Sequence, residues 1–176
     1  MLLKPHKMRV TALSSVNSMG WLLDGYRRYP IALGRTGRQS RKREGDGATP
    51  VGRWRPLSVL YRPDRTLRPR CGLAVRPIGP LDGWCDAAGD RNYNRPVRLP
   101  YPASAEHLWR ADRLYDLVVV LDHNQRPRVQ GGGSAIFMHV ARVGFRPTEG
   151  CIALSEKDLR QVVARLRRGT QIIVSG

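Results

Sequence analysis

Apolar and polar residues alternate in short runs along most of the chain, and Gly, Pro and Asn/Asp turn residues cut the runs, which predicts strands rather than long helices. Met8 to Leu13 alternates with the period of two of a half-buried strand. Trp21-Leu22-Leu23 and Ile31-Ala32-Leu33 flank the turn signal Asp24-Gly25. Asp116 to Leu121 contains Leu117-Val118-Val119-Val120, an apolar, β-branched run typical of a central strand. Ala135 to Val140 is expected beside it, with His139 near its end, and Val51 to Leu57 is expected to be a further strand. Arg126 to Ser134, with Gly131-Gly132-Gly133, reads as a mobile hairpin loop bordering that region.

Two helices are predicted. Ser104 to Ala111 is short and polar, with Ser104 as its cap. The second begins at Ser155, where Ser155-Glu156-Lys157-Asp158 forms a capping box and Leu159, Val162, Val163 and Leu166 make an apolar stripe. Arg165, Arg167 and Arg168 fall in its last turn and Gly169 ends it, as the helix dipole and C-cap preferences favour. Thr170 to Val174 supplies a final strand. The expected fold class is therefore mainly β, a mixed β-sandwich with one or two short α-helices.

Length and composition bound the function. The chain has 176 residues, which suits a single domain spanning 1–176 with a core of its own. Its 31 Lys+Arg against 14 Asp+Glu give a formal net charge of +17, a field that favours polyanionic partners such as nucleic acid or a bacterial wall carrying free carboxylates. The basic residues are scattered, no helix-turn-helix, zinc-finger or RNA-binding signature accompanies them, and aromatics make up only 7%, so specific nucleic-acid recognition is not expected. Cys71, Cys85 and Cys151 are odd in number and lack metal-ligand spacing; a Cys71–Cys85 bridge would still leave one free thiol. His6, His107 and His123 carry no motif, and neither a metal nor a cofactor is expected. The segment Met1 to Arg9 has no apolar leader core, and no stretch is long enough to span a membrane, which as written points to the cytoplasm.

The candidate chemistry lies late in the chain. His139 is followed by Thr148-Glu149-Gly150-Cys151-Ile152-Ala153-Leu154, so a strand-borne imidazole and a glycine-preceded thiol are the minimal equipment for acyl transfer. An imidazole accepting the thiol proton raises the thiolate fraction, and amides around Gly150 and Cys151 can converge on a tetrahedral oxyanion. Earlier, Lys42-Arg43-Glu44-Gly45-Asp46-Gly47-Ala48-Thr49-Pro50-Val51-Gly52 reads K-x-E-G-D-G-x-T-P-x-G, a loop whose role is expected to be mainly architectural.

These two segments, in this order, resemble the YkuD-type L,D-transpeptidase family over roughly residues 30 to 175. Gly83-Trp84-Cys85-Asp86 and Arg91-Asn92-Tyr93-Asn94-Arg95-Pro96 resemble its short branch, often found in Gram-negative bacteria. The resemblance implies the mixed β-sandwich of that catalytic domain and an enzyme acting on peptidoglycan stem peptides. Cys151 would attack the carbonyl of the diamino acid in a stem tetrapeptide, and His139 would serve as base. Better-known members have glycine after the histidine, S-H-G-C around the nucleophile, and a polar residue two positions on; here Val140, Glu149 and Ala153 stand there. Arg142 and Arg146 are the candidates to replace that polar residue, with Thr148, Glu149, Trp84, Asp86 and Tyr93 as further substrate-binding candidates. The family's usual place of work is outside the inner membrane, which would put the protein in the periplasm or cell wall. An L,D-carboxypeptidase of wall recycling is the alternative within this chemistry. A non-catalytic basic module for wall polymer or nucleic acid is the alternative outside it.

Overall fold

A computed structural model describes residues 5–13 and 18–176. Residues 1–4, on which part of the leader expectation rests, and residues 14–17 lie outside the described residues. The strands in chain order are β1 (Lys7–Ala12), β2 (Met19–Asp24), β3 (Arg27–Ala32), β4 (Arg38–Gln39), β5 (Thr49–Pro50), β6 (Gly52–Trp54), β7 (Pro56–Tyr61) and β8 (Ala74–Pro77). They continue with β9 (Asp82–Cys85), β10 (Arg95–Arg98), β11 (Ala105–His107), β12 (Leu117–Leu121), β13 (Phe137–Val140), β14 (Ile152–Leu154) and β15 (Gln171–Val174), with helix α1 (Glu156–Arg165) before the last.

Ten strands form one mixed sheet in the order β6-β15-β1-β2-β3-β14-β13-β12-β7-β8, and β10-β9-β11 form a second, smaller one. β6 sits at one edge and β7 beside the other edge, yet only Arg55 separates them in the chain. The sheet therefore curls until its ends meet. Asp122, just past β12, fastens the join: its carboxylate accepts the Arg55 N–H at 2.6 Å, and its own N–H donates to the Arg55 carbonyl at 2.9 Å. The expected strand from Val51 to Leu57 is thus two strands, because residues on either side of Arg55 pair with opposite ends of the sheet.

β12 explains its own apolar run. Leu117, Val119 and Leu121 point into the core enclosed by the curl, together with Met8, Val10, Leu22 and Ile31. Val118 and Val120 point the other way, into a second core with Trp84, Leu108, Tyr115 and Phe137, beneath the small sheet. A strand buried on both faces has no position left for a polar residue. The same alternation runs along β13: Met138 enters the first core, while Phe137 and His139 face the layer of the second. Leu159, Val162, Val163 and Leu166 seat α1 in the first core against β12 and β13.

The capping of α1 follows the sequence. Ser155 Oγ accepts the Asp158 N–H at 3.1 Å and donates to the Asp158 carboxylate at 2.7 Å. Its end does not: Leu166 turns to extended backbone, so only Arg165 lies in the last turn, and Gly169 instead takes φ 83° in the tight turn leading to β15. The helix predicted over Ser104 to Ala111 is absent. Its apolar residues Ala105, Leu108 and Trp109 span little more than one turn, too short a stripe to reward a helix, whereas as β11 the backbone pairs with β9, Glu106 opposite Trp84. The Arg126–Ser134 loop is pinned rather than loose, since Asn124 Nδ2 donates to the Val129 and Gly133 carbonyls at 2.8 and 3.0 Å. All three cysteines are free thiols, so the Cys71–Cys85 bridge does not form.

Candidate active site

Gly150 has φ 133°, and a Cβ there would lie 2.7 Å from the Ala48 carbonyl oxygen, so glycine is required before Cys151 on both backbone and packing grounds. The neighbour in question belongs to the glycine-rich loop read from the sequence. That loop is built around Asp46, which accepts the N–H groups of Arg43 at 2.7 Å and Ala48 at 2.9 Å and pairs with the Lys42 ammonium. Fully buried Thr49 accepts the Gly34 N–H at 2.8 Å. The loop shapes the seat of the turn before Cys151, and its Glu44 and Gly45 also line the cavity that Cys151 faces.

Within the turn, Thr148 Oγ1 donates to the Cys151 carbonyl at 2.7 Å and accepts the Gly150 N–H at 3.1 Å. The Gly150 amide is therefore occupied. The Cys151 sulfur sits between two backbone groups of the segment entering β13: it accepts the Phe137 N–H at 3.4 Å and donates to the Ala135 carbonyl at 3.2 Å. Parallel pairing of β13 with β14 places His139 opposite Ala153, two residues past Cys151 and on the same face. His139 and Cys151 line one cavity of about 420 Å³.

His139 Nδ1 lies 2.8 Å from the Val140 carbonyl oxygen. A carbonyl can only accept, so Nδ1 carries the proton and Nε2 keeps its lone pair. The group that orients the imidazole is thus the backbone of the next residue, and Tyr115 packs edge-on at 5.4 Å between ring centroids. Burial holds both groups neutral. Burial pulls the His139 pKa down to about 4, and burial, followed by the nearby Glu106 carboxylate, pushes the Cys151 thiol up to about 12.

Of the substrate-binding candidates read from the sequence, Thr148, Glu149, Arg142, Arg146 and Asp86 line this cavity. Glu149 is largely exposed and its carboxylate accepts from Arg35 Nε at 2.9 Å at the rim. Trp84 and Tyr93 do not line it. Trp84 is buried beneath the small sheet, edge-on to Phe137, and fully buried Tyr93 donates its hydroxyl to the Glu44 carboxylate. Trp84 thus serves packing in the second core, and Tyr93 serves as an anchor for Glu44. Glu106, Arg110 and Tyr115 are among the lining residues that the sequence reading missed. Tyr115 donates to Glu106 Oε1 at 2.6 Å, burial raises the Glu106 pKa, and Arg110 grips Asp112 with Nε and Nη2 at 2.9 and 2.6 Å. None stands in a motif; the register of β11 brings Glu106 to the cavity, and a helix expected there hides it.

The arrangement can deliver a sulfur nucleophile, accept its proton at a fixed nitrogen and return that proton to a leaving group, all within one cavity. Among the described residues no group of three or more His, Cys, Asp or Glu is placed to hold a metal ion, and no helix is long and apolar enough to cross a membrane. A family model of the L,D-transpeptidase catalytic domain, YkuD, matches residues 17–174. No curated protein and no solved structure gives a significant match.

Proposed function

Because the chain belongs to the YkuD family of L,D-transpeptidase catalytic domains, a family of peptidoglycan metabolism, we propose that it is an L,D-transpeptidase working through a Cys151 thioester. The observation that carries this reading is the shared cavity: Cys151 and His139 face one hollow, with His139 Nε2 free to take a proton. On this reading residues 1–176 act as one catalytic domain.

In the first half-reaction Cys151 Sγ attacks the carbonyl of the diamino acid in a stem tetrapeptide. The thiol proton leaves the Ala135 carbonyl for His139 Nε2, and His139 then gives it to the amine of the departing D-alanine. With the thiol held near 12 and the imidazole near 4, a standing thiolate–imidazolium pair is too costly, so proton transfer accompanies formation of the carbon–sulfur bond. The Cys151 N–H is the amide that meets the oxyanion, since Thr148 already engages that of Gly150. In the second half-reaction an acceptor amine attacks the thioester, and His139 takes the amine proton and hands it to the sulfur as it leaves, which restores the thiol and the neutral imidazole. Arg142 and Arg146, lining the cavity, meet substrate carboxylate where Ala153 offers no polar group.

A carbapenem-type acylating reagent tests the nucleophile. Intact mass should rise by one reagent, peptide mapping should place it on Cys151, and Cys71 and Cys85 should stay unmodified; labelling spread over all three thiols would contradict the assignment.

A further inference from the structure

Asn94 touches neither Cys151 nor His139, yet the bonding around it leads to the sulfur in two steps. It is 1% exposed, and every hydrogen-bonding capacity of its side chain is used. Oδ1 accepts Trp84 Nε1–H at 2.9 Å and the Ala135 N–H at 3.1 Å, while Nδ2 donates to the His123 and Asn124 carbonyls at 3.1 and 2.9 Å. Two donors on one side and two acceptors on the other fix which way the amide faces. Its backbone is tied too: its N–H donates to the Cys85 carbonyl at 2.8 Å and its carbonyl accepts Gln125 Nε2 at 3.1 Å. Asn94 itself has φ 56°, a left-handed backbone that asparagine tolerates better than most residues.

Ala135 is the unexpected partner. Its φ is 51°, a conformation that costs an alanine about 1–2 kcal/mol and persists only where the surroundings impose it. One side of Ala135 is pinned by Asn94 through its N–H, and the other presents the carbonyl that accepts the Cys151 thiol proton. Two residues on, the Phe137 N–H donates to the same sulfur. If Ala135 relaxed from the left-handed region, its carbonyl would swing and the thiol would lose its acceptor.

We propose that Asn94 is a positioning residue that sets the reactive thiol, acting through the Ala135 backbone. This rests on the reading of Cys151 as the reacting group. The Ala135 carbonyl binds the S–H form only, so it holds the thiol protonated and its hydrogen away from solvent until substrate arrives. Loss of Asn94 should therefore make the thiol more reactive to a small alkylating reagent and less competent in turnover. A residue that merely stabilises the fold would not separate those two effects.

The test is the pH profile of Cys151 alkylation by iodoacetamide, read by peptide mass so that Cys85 and Cys71 are scored separately. Asn94→Gly is the variant of choice because glycine accepts the left-handed backbone while deleting the amide. The groups that face the sulfur or bear on its charge, His139, Glu106, Tyr115, Arg110 and Lys42, are untouched. The profile should move to lower pH, with the rate at neutral pH rising about tenfold, while kcat for exchange of a wall-peptide terminal residue falls and KM holds. Trp84→Phe removes a bond to the same Oδ1 without touching Ala135 and should leave the profile in place.

A folded Asn94→Gly protein with the parent profile would overturn the proposal, as would the same shift in Trp84→Phe. Amide hydrogen exchange in the parent protein needs no variant to fold: the Ala135 N–H should be strongly protected, and free exchange there would also overturn the proposal. Alkylation and exchange need no substrate. The predicted shifts in a protein that processes no wall peptide would support the role of Asn94 while counting against the proposed function.

Discussion

His139 and Cys151 are both held uncharged by burial, and this makes the site quiet until substrate fills it. Between pH 4 and 12 neither group changes charge in the folded protein, so alkylation of Cys151 in the free protein should climb steadily toward alkaline pH with no plateau near neutrality. His139→Asn should leave that alkaline limb in place and abolish turnover, because it removes the proton acceptor but not the burial. Linkage gives a second test. The His139 pKa falls from 6.5 to about 4 on folding, so the unfolded chain binds the proton first and stability is lost as pH drops from 6.5 toward 4. That loss amounts to about 3 kcal/mol, with buried His123, also lowered, adding in the same direction. Urea unfolding at pH 7 and pH 4.5 should show the acid loss in the parent and a smaller one in His139→Asn; equal losses would mean that the imidazole is not buried neutral. Cys151, Gly150 and His139 were legible in the sequence because they stand in one short segment and its neighbouring strand. Glu106, Arg110 and Tyr115 were not, because only tertiary pairing brings them to the cavity.

The glycine-rich loop and the turn that carries Cys151 form one unit, joined where Gly150 passes the Ala48 carbonyl. Thr49→Val, which deletes the buried acceptor of the Gly34 N–H, should cost about 1–3 kcal/mol in denaturant unfolding, while Thr36→Val, which deletes an exposed donor to the Asp46 carbonyl of that loop, should cost less. Gly150→Ala should prevent the turn from forming, with loss of both folding and activity. At α1, Ser155→Ala should cost about 1 kcal/mol, since it removes the acceptor of the Asp158 N–H. These elements show how far pattern carries. β1, the β2–β3 hairpin, β12, β13, α1 and β15 follow from local periodicity and capping. The break at Arg55 and the strand character of Ala105–His107 do not, because each is decided by what pairs alongside rather than by the residues themselves.

Across the molecule, a single sheet curled on itself encloses one core and shares its outer face with a small sheet over the other, and the cavity opens where the two layers adjoin. A net charge of +17 surrounds this frame, and it should draw the protein to anionic polymer without base selectivity. Binding to DNA should therefore collapse as salt rises; a sequence-selective, salt-tolerant complex would favour a nucleic-acid module instead. The central claim is narrower, that Cys151 transfers an acyl group from a stem tetrapeptide to an amine. It is tested by incubating the parent protein and Cys151→Ala with tetrapeptide, with and without an excess of a D-amino acid, and weighing the products. The account predicts exchange of the terminal residue by the parent and no product from Cys151→Ala. Tripeptide as the sole product in both tubes would make the enzyme a carboxypeptidase, and products that survive the loss of Cys151 would contradict the account outright.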